Sequence, residues 1–338
     1  MDQERPRSTP LRIVATGEYV PVRRVGSDAF DRRWQKPDGW TERHVGIRHR
    51  QHAGDDESSS MMAAMAAQAA LERAGLRADE MDAIISVGGV MEQAIPCTAV
   101  LVQRRLGLSS TGTPAFDVNA TCLGFPVALD LVAPALTSGR YRRVLIVAGE
   151  VASAGLDWDD TDTAGLFGDG GAAVILEAGA GDEASCLLAT HMETHSEGAE
   201  YCQVRACGTR MRLADDVDAY ARASRFEMAG RATYRLAAQR LPGFMHTLFA
   251  RAGVEARDLA CLIPHQASVK ALDHLQRALG LPPQVLVRIL ETHGNQMAAS
   301  IPLALHHAIE RGALRRGDLF AMVGSGAGLS FAGAVLRY

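Results

Sequence analysis

Short apolar runs alternate along the chain with longer Ala-rich or amphipathic stretches. Leu11-Arg-Ile-Val-Ala reads as a strand entering a turn at Gly17, and residues 1–10 ahead of it read as a loose tail. Ser58 to Ala74 is rich in Met and Ala, with Ser59 or Ser60 as N-cap, and predicts a helix closed by Gly75. Asp82–Gly88 is a short apolar strand, Thr98–Leu106 a helix ending at Gly107, and Phe116–Asn119 a strand edge leading into a helix from Cys122 to about Thr137. Arg143–Ala148 is a buried strand, and Gly168-Asp-Gly-Gly171 is a tight turn feeding a strand through Leu176. The end of the chain gives the strand Leu319–Val323, the turn Gly324–Gly328 and the strand Ser330–Leu336. Buried apolar strands alternating with helices indicate an α/β fold with largely buried sheets.

The pattern occurs twice. Asn119-Ala-Thr-Cys122-Leu-Gly-Phe-Pro126-Val-Ala-Leu129 overlays Asn295-Gln-Met-Ala298-Ala-Ser-Ile-Pro302-Leu-Ala-Leu305, at an offset of 302 − 126 = 176. Arg73-Ala-Gly75 with the strand to Val87 matches Arg251-Ala-Gly253 with the strand to His265 (265 − 87 = 178), and Gly139 to Val147 matches Gly312 to Phe320 (316 − 143 = 173, from Arg143 to Arg316). A half is therefore used twice, over about 1–178 and 179–338, and face-to-face packing of the copies would give helix, sheet, helix, sheet, helix. Cys122 and Asn295 fall in matching blocks. Residues 191–240 have no counterpart in the repeat and include a predicted helix from Phe226; a segment of this kind beside a site shapes substrate access.

Composition narrows the class. A chain of 338 residues, 47% hydrophobic, has material for two core-bearing units. The net charge of −4 and 5% aromatic content give no support to nucleic-acid binding. The first fifty residues carry ten Arg and one Lys against seven acids, read either as an Arg-rich surface or as a rim for an anionic ligand such as a phosphate. Six cysteines without a CxxC pair, no apolar signal core and no apolar run of about eighteen residues predict a cytoplasmic protein with reduced thiols and no membrane span. No HExxH, P-loop or Cys/His cluster is present, and no metal is expected.

Three positions carry the chemistry. Cys122 lies where a strand gives way to a helix, with Pro126 in the first turn, so free N–H groups and the helix dipole would favour a thiolate nucleophile; a buried core cysteine is the alternative. His265 follows the strand Cys261-Leu-Ile-Pro, and residues just past a strand end point into the crevice of an α/β sheet. Asn295 stands before a helix, as an N-cap or as a donor to substrate. Gly324-Ser-Gly-Ala-Gly328 leads into a strand, so it is no nucleophile elbow; its glycines let backbone N–H groups approach a carbonyl.

Asn-Ala-Thr-Cys122-Leu-Gly-Phe, Ile-Pro-His265-Gln-Ala and His-Gly-Asn295-Gln-Met-Ala-Ala-Ser-Ile-Pro together resemble β-ketoacyl-acyl-carrier-protein synthase III, a condensing family of the thiolase fold, from about Leu11 to Tyr338. The resemblance implies a five-layered αβαβα fold and a decarboxylative Claisen condensation. Cys122 would take an acyl group, and His265 and Asn295 would bind the thioester carbonyl of a malonyl partner. The backbone N–H groups of Cys122 and Ala327 would hold the acyl carbonyl; the family usually has Gly at 327. Coenzyme A or acyl-carrier-protein thioesters would be substrates, with no separate cofactor. Trp40, Arg43, Arg235, Lys270 and Arg277 fall where the family contacts coenzyme A, although His44 replaces an expected arginine. Ile95 stands where relatives that join two acyl thioesters head to head bring a glutamate base from the partner subunit, which suggests an acyl-pocket role and a homodimer. Glu92 lies three residues earlier, its role as an additional base is left open by the sequence, and a decarboxylating mechanism needs no such base. Non-decarboxylative head-to-head condensation of two acyl-CoA thioesters, acyl transfer to a hydroxyl or amine, and a non-catalytic partner subunit are the competing readings.

Overall fold

A computed structural model describes residues 8–179 and 185–338, so most of the expected N-terminal tail (1–7) and a segment between the halves (180–184) lie outside the described residues. The first half runs β1 Thr9–Tyr19, β2 Arg23–Gly26, α1 Ser27–Arg33, α2 Trp40–Val45, β3 His49–His52, α3 Ser59–Ala74, β4 Ala83–Val87, α4 Thr98–Arg105, β5 Ala115–Val118, α5 Gly124–Thr137, β6 Arg143–Glu150 and β7 Gly170–Ala178. The second runs β8 Cys186–Thr194, β9 Cys202–Gln203, α6 Val217–Ala223, β10 Glu227–Met228, α7 Gly230–Ala252, β11 Cys261–Pro264, α8 Val269–Ala278, α9 Leu290–His293, α10 Ser300–Glu310, β12 Leu319–Gly326 and β13 Ser330–Arg337.

The strand order is β11-β12-β13-β8-β1-β7-β6-β4-β5. It divides at β8–β1, where only Thr9↔Leu187 and Pro10↔Cys186 pair. On one side β4 runs parallel to β6 and antiparallel β7 and β1 follow; on the other β11, β12, β13 and β8 repeat that scheme. Strands β4, β6, β7, β11, β12 and β13 are buried on both faces over most of their length, so alternate residues enter different layers. Ile85, Val87 and Ile146 of one sheet and Ile263, Phe320 and Met322 of the other meet Phe125 and Leu129 of α5 and Ile301 and Leu305 of α10 in the central layer. The outward residues Ile84, Leu145 and Ile175 pack under α3 and α4, and Leu262, Ala321 and Val335 pack under α7 and α8. These are the five layers of the αβαβα expectation.

Two predicted features differ. The strand expected from Leu11 starts at Thr9, inside the predicted tail, because its first residues join the sheets. The stretch expected to lack a counterpart contains two elements that have one: β8 occupies the place of β1, and α7 ends in a left-handed Gly253 as α3 ends in Gly75. What differs between the copies lies between those elements. There Phe226 opens no helix, because its N–H is held by Gly155 O and the next residues pair with β9.

The Ala-rich sequence of α3 has a packing cause. A Cβ on Gly149 would strike Ser59 O, one on Gly171 would lie 2.5 Å from Met62 O, and one on Gly17 would strike Ala66 O. Three glycines on β6, β7 and β1 thus form a track on which the helix backbone rests, and no larger side chain fits between. We expect Gly17→Ala to destabilise the fold by about 1–3 kcal/mol, the usual cost of overpacking. A thermal or urea melt unchanged from the parent protein would contradict this account.

Candidate active site

The site is built from one turn used twice. After β5, Asn119 Oδ1 accepts from Thr121 N at 3.1 Å, Thr121 adopts φ 50°, and a 3-10 turn Thr121–Leu123 leads into α5. In the second half Asn295 Oδ1 accepts from Met297 N at 2.9 Å, Met297 adopts φ 47°, and the 3-10 turn Met297–Ala299 leads into α10. The offset is 176 at both residues (295 − 119 and 297 − 121). Neither Thr nor Met adopts that backbone conformation without strain. The turns keep the register of the sequence overlay: the counterpart of Asn295 is Asn119, and that of Cys122 is Ala298 (122 + 176).

The two turns pack against each other at the ends of the sheets, and three elements converge there. A Cβ on Gly324 of β12 would lie 2.8 Å from Leu123 Cδ2, 3.0 Å from His265 Cβ and 3.3 Å from Ile301 Cδ1. Glycine at 324 therefore lets the residue after Cys122, the imidazole and the start of α10 meet at one point. His265 is fixed by its N–H to Val323 O at 2.8 Å and by its carbonyl accepting from Ala267 N at 2.9 Å. Asn295 Nδ2 donates to Ala267 O at 3.4 Å, which ties the amide to the same short segment. The backbone of Asn295 crosses to the first half, donating to Leu166 O at 2.9 Å and accepting from Gly168 N at 3.1 Å. The Gly168 turn noted in the sequence thus holds Asn295 in place.

The electrostatics overturn one expectation. Burial pushes the Cys122 thiol up to about 12, with further upward contributions from Glu150 and Cys202. The helix dipole does not produce a resting thiolate, because a 3-10 turn separates the sulfur from the first turn of α5 and desolvation outweighs the local N–H groups. Burial also drives His265 down to about 4, so the imidazole is neutral, and its Nδ1 has no hydrogen-bond partner. Two residues that sequence reasoning missed, Glu150 and Cys202, sit close enough to influence the sulfur. Cys202 is brought there by the segment between β8 and α7, where its Sγ lies 3.5 Å from Thr233 Oγ1. Glu150 had no sequence signal beyond its place at the end of an apolar strand.

The remaining predicted positions fall into three groups. Ala327 follows the end of β12, half-buried beside Gly326, whose Cβ would lie 2.7 Å from Thr121 Oγ1. Trp40 opens α2, which Asp31 caps through Gly39 N and Thr41 N, both at 2.7 Å. The indole stacks on His44 at 4.6 Å, so the residue standing for the expected arginine lies against the ring, while Arg43 Nη2 donates to Asp38 O. A Cβ on Gly46, at the end of α2, would strike Val269, which places Lys270 of α8 near this helix. Arg235 and Lys270 are exposed and make no hydrogen bond or ion pair among the described residues, whereas Arg277 sits in the last turn of α8 and folds back on Asp273 O.

The surroundings of residue 95 are defined as well. A cavity of about 200 Å³ is lined by Val90, Met91, Ala94, Cys97, Val118 and Asn119, among others. Ile95 does not line it and is 85% exposed, so within one chain it is no pocket residue. Glu92 is engaged within its own chain: burial alone would raise its carboxyl, but hydrogen bonds from Ser60 and Ser58 and the Arg105 charge hold it below the usual range. Its Oε2 accepts from Ser60 N at 2.6 Å at the start of α3.

One further polar cluster lies behind Asn295. Glu18, His293 and His307 bring potential ligand atoms within 4.8 Å of one another. Glu18 Oε2 lies 3.1 Å from His307 Nε2, and Arg311 Nη2 lies 3.5 Å from His307 Nδ1. Glu18 and His307 thus face each other with the Arg311 guanidinium alongside.

A thiol held near 12 has a direct readout. Alkylation of Cys122 by iodoacetamide should be slow at pH 7 and rise about tenfold per pH unit to at least pH 9.5, since the thiolate fraction does so below the pKa. Peptide mass spectrometry follows it; a plateau near neutral pH would mean that a thiolate is already stabilised.

The comparisons with known proteins agree with this architecture. Family models described as 3-Oxoacyl-[acyl-carrier-protein (ACP)] synthase III and as its C-terminal part match residues 116–196 and 249–338. The chain is similar to a β-ketoacyl-[acyl-carrier-protein] synthase III of Laribacter hongkongensis, 35% identical over 327 residues covering 97% of this chain and 99% of that one. Among solved structures it superposes on 3-oxoacyl-[acyl-carrier-protein] synthase III from Aquifex aeolicus with TM-score 0.87 and 33% identity, covering 97% of this chain and 100% of that one. It also superposes on the priming β-ketosynthase from the R1128 polyketide pathway with TM-score 0.88 and 29% identity, covering 100% and 99%. No helix among the described residues is long and apolar enough to cross a membrane. Full-length similarity at this level, on a doubled αβαβα frame, shows that the chain belongs to the β-ketoacyl-[acyl-carrier-protein] synthase III family of condensing acyltransferases.

Proposed function

We propose that this protein loads an acyl group on Cys122 and condenses it with a malonyl thioester, releasing carbon dioxide and a 3-oxoacyl thioester. The observation that carries the reading is the convergence at Gly324 of the Cys122 turn, His265 and the helix that follows Asn295. In the first step Cys122 sulfur attacks the acyl thioester carbonyl, whose oxygen is held by the N–H groups of Cys122 and Ala327. The coenzyme A or pantetheine thiolate leaves, and the thiol proton departs with it. In the second step the malonyl carbonyl oxygen accepts from Asn295 Nδ2 and from a ring N–H of neutral His265. The bond to the carboxylate breaks, its electron pair forms an enolate stabilised by those two donors, and the carbanion attacks the acyl-Cys122 carbonyl to expel the sulfur.

Two features favour the malonyl route over a head-to-head one. The nearby Glu92 is bound to the start of α3, and decarboxylation generates the carbanion without any base. We place Trp40, Arg43, Arg235 and Lys270 at the mouth that receives the pantetheine arm of coenzyme A or an acyl carrier protein, where α2 abuts α8. Arg277, seven residues beyond Lys270 and about 10 Å further along the helix, is the outermost of the set.

The partner subunit is a second copy of this chain. β5 is the edge of its sheet, and Phe116 on it, with Met91, Ile95 and Val100, leaves apolar side chains exposed. Ile95 would then reach a neighbour's pocket. Sedimentation should give a dimer that Ile95→Asp shifts toward monomer; a monomeric parent chain would refute this.

Incubation with an acyl-CoA panel should place the acyl mass on the Cys122 peptide, and malonyl thioester should then release carbon dioxide. Loading elsewhere, or acyl transfer without carbon dioxide, would count against the reading. His265→Ala and Asn295→Ala should each keep loading while lowering carbon dioxide release by roughly 10²–10³-fold, the usual effect of removing one oxyanion donor.

A further inference from the structure

Glu150 ends β6 with its side chain wholly buried, and no ion pair reaches it among the described residues. Its Oε1 accepts from Gly89 N at 2.6 Å and from Ala298 N at 3.2 Å, and its Oε2 has no partner. The internal repeat gives these contacts meaning. Ala298 N is the counterpart of Cys122 N, and Glu150 and Gly326 are the last residues of the corresponding eight-residue strands β6 and β12, a strand register of 319 − 143 = 176 in place of the 173 of the sequence overlay. Each strand end faces the turn of the opposite half: β6 meets the Met297–Ala299 turn and β12 meets the Thr121–Leu123 turn. At Gly326 a Cβ would lie 2.7 Å from Thr121 Oγ1 and 3.1 Å from Leu123 Cγ, so the absent side chain leaves the Cys122 turn open to a substrate carbonyl. At the matching place in the other half the protein supplies its own carbonyl-like oxygen.

We propose that Glu150 is a positioning residue for the condensation step, its carboxyl plugging the second turn so that Met297–Ala299, and through it the Asn295 amide, is held in donating register. The link is direct: Asn295 Oδ1 is tied to Met297 N, and the next N–H along the turn, that of Ala298, is the one Glu150 holds. The plug works uncharged. Burial raises the carboxyl to about 8, against the hydrogen bonds from Gly89, Ala298 and Val90 that lower it, and buried Asp169 adds to the rise. Below that pH Glu150 is neutral; above it a carboxylate stands beside the enolate that condensation must form. The other titratable groups facing it are Cys122, which as an acyl thioester does not ionise, and Asp169, which is itself raised and held by Ser153.

The inference rests on the proposed condensation, and the two half-reactions separate them. Glu150→Gln keeps the accepting oxygen and cannot ionise. Glu150→Met keeps the bulk and removes the acceptor. At pH 7 we expect Glu150→Gln to load acyl groups and release carbon dioxide within about threefold of the parent, and Glu150→Met to load normally but lose roughly 30-fold or more in kcat for carbon dioxide release with little change in KM. Across pH 7–9.5 the parent rate should fall above about pH 8 while Glu150→Gln stays level. A Glu150→Met protein that condenses like the parent, a Glu150→Gln protein as impaired as Glu150→Met, or coincident pH profiles would each overturn the assignment. If Glu150→Met does not melt cooperatively, the Glu150→Gln profile decides alone. A parent protein that releases no carbon dioxide from malonyl thioester sinks the proposed function instead.

Discussion

The contact between two backbone turns, Thr121–Leu123 from one half and Met297–Ala299 from the other, is the constraint on which the rest of the structure depends. Each turn is strained at its first residue, and each is fixed by an asparagine that accepts from the backbone two residues on. Strain of this kind persists only where the surroundings over-determine it. Here they do: a sheet ends against each turn, a helix departs from each, and the glycines at 324 and 326 let the end of β12 close on the Thr121–Leu123 turn. A gene-scale duplication has thereby been turned into a site whose two walls are near-copies.

Near-copies differ where chemistry requires it. One asparagine, Asn119, lies on the side that also carries the sulfur; the other, Asn295, has its amide nitrogen beside the His265 segment. One strand end is Gly326 and open, the other is Glu150 and filled. Function in this architecture comes from which of two equivalent positions is left empty.

The layer order and the halves were legible in the sequence because buried strands read as continuous apolar runs and because Pro126 and Pro302 keep their places in matching helices. Cys122, His265 and Asn295 were legible as residue types at strand ends and helix starts. What was not legible came from three-dimensional burial. The prediction of a stabilised thiolate treated the helix start as exposed, whereas Cys122 sits partly buried in a 3-10 turn, where desolvation raises the thiol. Spacing along the chain also does not show direction: Glu92 turns toward Ser60, while Ile95 turns away from its own chain, the orientation that a role in a neighbour's pocket needs. Glu150 gave no sign at all, since an acid ending an apolar strand reads as the point where the strand meets water.

The resting site is then electrically silent. The thiol is protonated, the imidazole is neutral, and burial favours the neutral acid at Glu150; no cation contributes to the shift of any of the three among the described residues. A malonyl carboxylate entering such a place loses water and finds no counter-charge, which raises its free energy. In the proposed reaction, loss of carbon dioxide moves that charge from the carboxylate to the thioester oxygen, which the Asn295 amide and a ring N–H of His265 would hold. Decarboxylation therefore relieves a misplaced charge instead of creating a new one. A fixed cation near the carboxylate would remove that advantage by stabilising the starting state as much as the enolate. The same logic explains why a buried carboxyl can sit beside the reaction without stopping it: while it stays protonated it contributes an oxygen for two backbone N–H groups and no field of its own.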